Sequence, residues 1–368
     1  MLSKTYLLVH IALIPLYISV AFYLNFIPST VSDNLSSLLR LAKANLQSQY
    51  LKSSISTTTT AMTSMNFVAR KSQDRGNADH GWLKTFHTFS FASYASFILS
   101  NFFFSLIEPF SRYQTGQHQL FGPLRVINED RVAPSTGFGA HSHREFEIFS
   151  YVVSGEIEQF VFILFVLSFI SRLTSFFFFS MYSKDSMGNT EILGRGDLQL
   201  TSAGTGISHS EKAHGPNQVH FLQIWSLPST SGLQPKYFTR HFTDEEKTDK
   251  WARVVAPIGA DGVLPVREGG GPAPVQSPLT LYATLLGQNK SLNRPLVGKK
   301  GYIHVVQTSG YNEGQSKGAN IKIASKGGEE LILGEGDGAY VYVGNSGNVL
   351  EVENVGDRVA EVLVFDLD

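Results

Sequence analysis

The chain has 368 residues and no cysteine. This absence excludes disulfide bonds, zinc sites with thiolate ligands and iron–sulfur clusters, so any metal must be bound through nitrogen and oxygen atoms. Charged residues make up only 17% of the chain, the formal net charge is −1, and there is no large basic block. Charge-driven binding to nucleic acid is therefore not expected. The length allows two domains of ordinary size.

Helical patterns are also scarce. Only residues 243–251 have a strongly helical composition, with Thr243 as the expected cap. Elsewhere short apolar runs alternate with turn residues, and the 33 glycines are well spread, which favours an all-β fold. The clearest strand-like runs are GPLRVINEDRV (122–132), REFEIFSYVVSGEIE (144–158), GDLQLTSAGTG (196–206) and VHFLQIWSL (219–227).

A short motif occurs twice. Residues 192–197 read ILGRGD and residues 332–337 read ILGEGD, and each copy lies between two strand-like runs. The repeat predicts two copies of one β-barrel. We place the domains at 65–240 and 241–368.

Three apolar segments differ from the rest of the chain. Residues 1–64 contain an uncharged stretch, 6–27, which is long enough to span a bilayer, followed by a linker rich in Ser and Thr. This region is either a membrane or signal anchor, or a non-native extension before a start at Met62 or Met65. Segments 95–112 and 160–182 interrupt the strand pattern, and we interpret them as non-native; the alternative is a real insertion that packs as a helix.

Two pairs of residues with alternate spacing indicate a metal site. His141 and His143 lead into a strand, and His209 and Glu211 have the same spacing downstream, where we expect a strand as well. Side chains at positions i and i+2 of a strand share a face, so two adjacent strands would bring three imidazoles and one carboxylate into one pocket. Such a site favours iron(II), manganese, nickel or copper over calcium.

Other residues near these pairs remain open alternatives. Glu145 and Glu147 share the parity of His143, and Glu147 is the alternative ligand or a partner of a ligand. A solvent-exposed position at the barrel mouth is the other interpretation of Glu147. His214 and His220 are expected to be structural or to support the ligands. The sequence assigns no partner to the two remaining nearby histidines, His80 and His87.

Around these motifs the chain resembles the pirin family of the cupin superfamily. The segments that carry the resemblance are 70–94, 121–158, 184–211 and 219–228. The resemblance implies an all-β bicupin, in which two jelly-roll (double-stranded β-helix) barrels pack face to face. It also implies one divalent metal ion, iron(II) by preference, held by His141, His143, His209 and Glu211 in the N-terminal barrel, and no metal ligands in the C-terminal barrel.

The resemblance implies two classes of function. The first is a quercetinase-type dioxygenase that acts on a small flavonol-like aromatic substrate and dioxygen, with Glu211 as the catalytic base. The second is a nuclear, redox-sensing coregulator that binds a transcription factor without turnover. Fold analogy does not choose between them. We expect the protein in the cytoplasm or nucleus, with a membrane location only if the N-terminal segment is real.

Overall fold

The computed structural model describes residues 65–89, 118, 120–163, 191–326, 328–344 and 348–368. All of them lie within one compact unit, Ala61–Asp368. The predicted segments 1–64 and 95–112, and most of 160–182, lie outside the described residues. In the part of the chain that is described, no helix has the length and apolar character needed to cross a bilayer.

Two antiparallel sheets form the N-terminal barrel. The larger sheet contains, in spatial order, β12 (Lys236–His241), β9 (Asp197–Ser202), β6 (Glu147–Ser154), β11 (Val219–Ser226), β4 (Leu124–Val132), β3 (Leu83–Phe89) and β2 (Gly76–Asp79). The smaller sheet contains β5 (Gly137–His143), β10 (Ile207–His214), β7 (Glu156–Ile163) and β8 (Glu191–Leu193). Strand β7 runs to Ile163, so residues 160–163 of the predicted apolar insert belong to this sheet.

The C-terminal barrel repeats this order. Its larger sheet contains β1 (Asn66–Arg70), β20 (Gly338–Tyr342), β17 (Lys300–Val305), β22 (Ala360–Leu367), β15 (Leu279–Leu286), β13 (Ala252–Pro257) and β14 (Ala273–Val275). Its smaller sheet contains β16 (Ser291–Pro295), β21 (Val349–Asn354), β18 (Asn320–Ala324) and β19 (Glu330–Gly334). Strand β1 thus comes from the start of the predicted N-terminal domain and pairs with β20. The boundary at residue 240 stays a prediction.

The main hydrophobic core lies between the two larger sheets. Phe149 and Leu222 of the N-terminal barrel belong to the same buried cluster as Leu281, Tyr302 and Phe365 of the C-terminal barrel. Alternation along each strand sends one face of each larger sheet to this shared core and the other into its own barrel. The predicted fold, two cupin barrels packed face to face, is confirmed.

The repeated motif forms the same turn in both barrels. The Asp197 side chain accepts a hydrogen bond from the backbone N–H of Gly194 at 2.7 Å, and Asp337 accepts one from Gly334 at 3.0 Å. Gly196 and the matching glycine at 336 have φ values of +89° and +82°, which residues with a Cβ rarely adopt. The sequence repeat therefore corresponds to a structural repeat.

The predicted helix is shorter than expected. Helix α1 spans Asp244–Lys247, and the predicted cap Thr243 forms a capping box with Glu246. The helix ends early because Thr248 is extended and forms a β-bridge with Leu285.

Candidate metal centre

The two predicted ligand pairs lie on neighbouring strands. Strands β5 and β10 are antiparallel, with His209 opposite His141 and Ile207 opposite His143. The register shifts between His209 and Glu211, which lies opposite Phe138. An extra residue in β5 therefore sits beside the site, as β-bulges often do.

The structure brings three of the four predicted ligands together. The ligand nitrogens of His141, His143 and His209 all lie within 4.8 Å of one another. The Nε2 atoms of His141 and His209 are 3.0 Å apart. Two nitrogen ligands that each lie about 2.0–2.1 Å from one ion are themselves about 3 Å apart. The three imidazoles can therefore hold one metal ion.

Burial keeps two of these imidazoles neutral. Desolvation, reinforced by the neighbouring histidines, lowers the pKa of His143 to about 2. Desolvation also lowers the pKa of His209 to about 4, although Glu211 opposes this shift. The Nδ1–H of His141 donates to the Gly139 carbonyl at 2.8 Å, which leaves the Nε2 lone pair free. His143 Nε2 is buried without a hydrogen-bond partner, a cost that a bound metal ion would remove.

Glu211 shares the inward face of β10 with His209 but is not part of the three-residue group. Its two carboxylate oxygens are held by two amides. Gln159 Nε2 donates to Oε1 at 2.6 Å, and Gln223 Nε2 donates to Oε2 at 3.1 Å. The role of Glu211 as a fourth ligand and as a catalytic base stays a prediction.

Aromatic side chains form one wall of the site. The ring of Trp225 meets the His143 ring edge-on, with centroids 4.8 Å apart, and the Phe146 ring packs against Trp225 with centroids 5.3 Å apart. Phe138 lies 6.5 Å from His141. Such a wall suits a planar aromatic ligand.

The expected parity of Glu145 and Glu147 is wrong. Glu145 has φ +62°, a left-handed conformation that breaks the alternation before β6 begins, and its carboxylate accepts from the Gly232 N–H. Glu147 therefore faces the other barrel, and it accepts hydrogen bonds from Ser202 Oγ on the neighbouring strand β9 and from the Gln276 N–H of the C-terminal barrel. It is neither a ligand nor solvent-exposed.

Among the described residues, the histidines at 87, 214, 220 and 304 are not part of the three-histidine group. His214 is partly exposed and lies 3.1 Å from Glu158. His220 and His304 both contact the buried carboxylate of Glu129, at 3.0 and 3.3 Å. His87 lies inside the N-terminal barrel, where its Nδ1 is 2.9 Å from Asn128 Oδ1.

Sequence reasoning missed the buried Glu129 and the two amides that hold Glu211. Glu129 forms an ion pair with Arg75 at 3.0 Å, and it joins the two barrels because it contacts both His220 and His304. Gln159 on β7 and Gln223 on β11 are the partners of Glu211. For Glu129 the sequence offered one signal. Residues 128–131 are four consecutive polar residues in a strand flanked by apolar residues, and a buried strand rarely carries so many.

A profile described as Pirin matches residues 171–226. Over 240 residues the chain is 32% identical to a quercetin 2,3-dioxygenase of Escherichia coli K12, covering 65% of this chain and 80% of that protein. It is 31% identical over 260 residues to a pirin-like protein of Caulobacter vibrioides, covering 69% and 90%.

The chain belongs to the pirin family. Among solved structures, it resembles the bacterial pirin YhhW from Escherichia coli in complex with nickel(II). The identity is 26%, the TM-score is 0.57, and the match covers 82% of this chain and 99% of the other. The pirin match and the three clustered imidazoles together support a metal ion in this protein and leave its identity open.

Proposed function

We propose that this pirin is an iron(II)-dependent dioxygenase that opens the heterocyclic ring of a flavonol-like substrate with dioxygen. The observation that carries the proposal is the group of three imidazoles within 4.8 Å, two of them held neutral by burial, beside an aromatic wall. The similarity to a quercetin 2,3-dioxygenase supports it.

His141, His143 and His209 would hold the ion, and Glu211 would complete the ligand set. When bound, the metal supplies a Lewis acid and a site for redox chemistry with dioxygen. Iron(II) is our preference; manganese, nickel and copper also accept such ligands.

The protein's own groups then position the substrate and move its proton. Trp225 and Phe146 provide an apolar surface against which a planar ring can lie. Glu211 accepts the proton of the substrate hydroxyl at a carboxylate oxygen. Gln159 and Gln223 orient that carboxylate through their amide hydrogens. Location in the cytoplasm or nucleus stays a prediction.

Oxygen consumption tests the proposal. The full-length chain, loaded with iron(II) without air, is mixed with quercetin and buffer that contains dioxygen. We expect oxygen uptake with loss of the flavonol absorbance, and no uptake by His141→Ala. Metal binding without any uptake would contradict the proposal and favour the metal-dependent coregulator. Uptake by His141→Ala equal to that of the unmodified chain would contradict the assigned site.

A further inference from the structure

A row of five polar side chains crosses the inner face of the larger N-terminal sheet. The strand register places these residues side by side, one on each of five adjacent strands: His87 on β3, Asn128 on β4, Gln223 on β11, Ser150 on β6 and Gln199 on β9. We call this set the polar row. The adjacent inward positions on β6 and β11 are mostly apolar, for example Ile148 and Val152.

The polar row adjoins the metal centre. Gln223, in its middle, donates to Glu211 on the opposite sheet, and Trp225, two residues further along β11, contacts His143. A ligand that reaches the ion and extends into the barrel would therefore meet the polar row.

Part of this region has unmet hydrogen-bonding capacity. Ser150 and Gln199 are fully buried, and Gln159, on β7 of the smaller sheet, is 1% exposed. Ser150 Oγ and the Oε1 atoms of Gln199 and Gln159 have no hydrogen-bond partner. Buried polar atoms without partners are costly, so they usually indicate an absent ligand or water.

The unmet atoms define the chemistry of the ligand. Gln159 Nε2 must face the Glu211 carboxylate, because a carboxylate oxygen accepts and an amide oxygen cannot donate. Gln199 Nε2 donates to Thr201 Oγ1. The Gln159 carbonyl oxygen must therefore be the unpartnered atom of its amide, and the Gln199 carbonyl oxygen is also unpartnered in the structure. These oxygens need O–H or N–H donors.

We propose that the polar row, together with Gln159, is a recognition subsite for phenolic hydroxyl groups on the part of an aromatic substrate remote from the metal. This inference rests on the proposed function, since the other end of the same substrate would bind the ion held by the three-histidine group. Phenols fit the subsite because they combine a flat ring with O–H donors. Methyl ethers of the same size do not fit, because they lack the donor.

The test compares three flavonols whose distal ring carries two hydroxyls, two methoxy groups or no substituent. Dissociation constants are measured by calorimetry without dioxygen on the full-length, metal-loaded chain. We expect the dihydroxy compound to bind about tenfold more tightly than the other two. Ser150→Ala and Gln199→Met should each weaken only the dihydroxy compound, by about fivefold.

A matched substitution in the other barrel provides the control. Ser325 is also buried with an unpartnered hydroxyl, so Ser325→Ala should leave all three affinities unchanged. Ser150→Ala removes an unmet polar group, so it should not lower the melting temperature, and a loss of affinity would not reflect misfolding.

The outcomes separate the subsite from the reaction. Equal affinities for the three flavonols, equal effects of the variants on all three, or no binding at all would overturn the subsite. Selective binding of the dihydroxy compound without oxygen uptake would leave the subsite standing and contradict only the dioxygenase.

Discussion

The two barrels have the same sheet order but different interiors. In the N-terminal barrel, β5 and β10 direct histidines inward; in the C-terminal barrel, the matching strands β16 and β21 direct Leu292, Leu350 and Val352 into an aliphatic core. At these matched positions the C-terminal barrel thus packs aliphatic side chains, whereas the N-terminal barrel keeps buried imidazoles that cost stability. Such a cost is expected where a protein binds ligands.

The largest effect should follow removal of a ligand from the N-terminal barrel. His143→Ala should weaken metal affinity by more than about 100-fold, because loss of a mere partner of a ligand already costs 10–100-fold. Metal content after dialysis, measured by mass spectrometry, checks this. His304→Gln, which changes a buried histidine outside the three-histidine group, is the control and should retain metal. Full metal content in His143→Ala would contradict the assignment of the metal to the histidines of the N-terminal barrel.

A pH-dependent effect should follow at Asp130, on the inner side of β4 in the N-terminal barrel. Burial, reinforced by the carboxylates of Glu211 and Glu129, raises the pKa of Asp130 from 3.8 to about 7. The folded state therefore retains a proton that the unfolded chain releases, so this group lowers stability as pH rises from about 4 to about 7.

Asp130→Asn removes this penalty. The variant should match the unmodified chain near pH 4 and exceed its unfolding free energy at pH 8 by up to about 4 kcal/mol. Urea unfolding at both pH values measures the difference. A variant that is less stable at pH 8 would show that the ionised carboxylate is well paired.

A core truncation in the C-terminal barrel should act on stability alone. Leu350 is fully buried in the aliphatic cluster. Leu350→Ala should lower the unfolding free energy by about 3 kcal/mol through lost burial and a cavity. Metal stoichiometry of the folded protein should stay unchanged. Loss of metal at a temperature where the variant is folded would mean that the barrels are coupled.

The smallest effect should come from a residue that positions Glu211. Gln223→Leu removes one of its two amide donors and should weaken metal affinity by about tenfold. Competition with a chelator measures the affinity. Gln276→Leu is the control, because the Gln276 side chain is not a partner of Glu211 and its backbone N–H, which pairs with Glu147, is retained. No change in Gln223→Leu would show that Gln159 alone holds the carboxylate.

Much of the fold was predictable from local pattern. Strand alternation and the repeated turn at Gly196 depend on neighbouring residues, so the sequence predicts the barrels directly. The convergence of His141 and His143 with His209 followed from the same period-two rule.

Long-range pairing was not predictable in the same way. The fate of Glu147 depended on the left-handed backbone of Glu145, which has no strong signal in a non-glycine residue. The contact of Glu129 with His220 depends on the pairing of β4 with β11, which are far apart in sequence. Its contact with His304 depends on the packing of the two barrels.

The central claim is one metal ion bound by three imidazoles inside the N-terminal barrel. Anomalous diffraction from crystals of the metal-loaded protein, recorded at the absorption edge of the bound metal, tests it most directly. The account predicts a single strong peak within bonding distance of His141, His143 and His209. A peak elsewhere, or none between these rings in protein that contains stoichiometric metal, would contradict it.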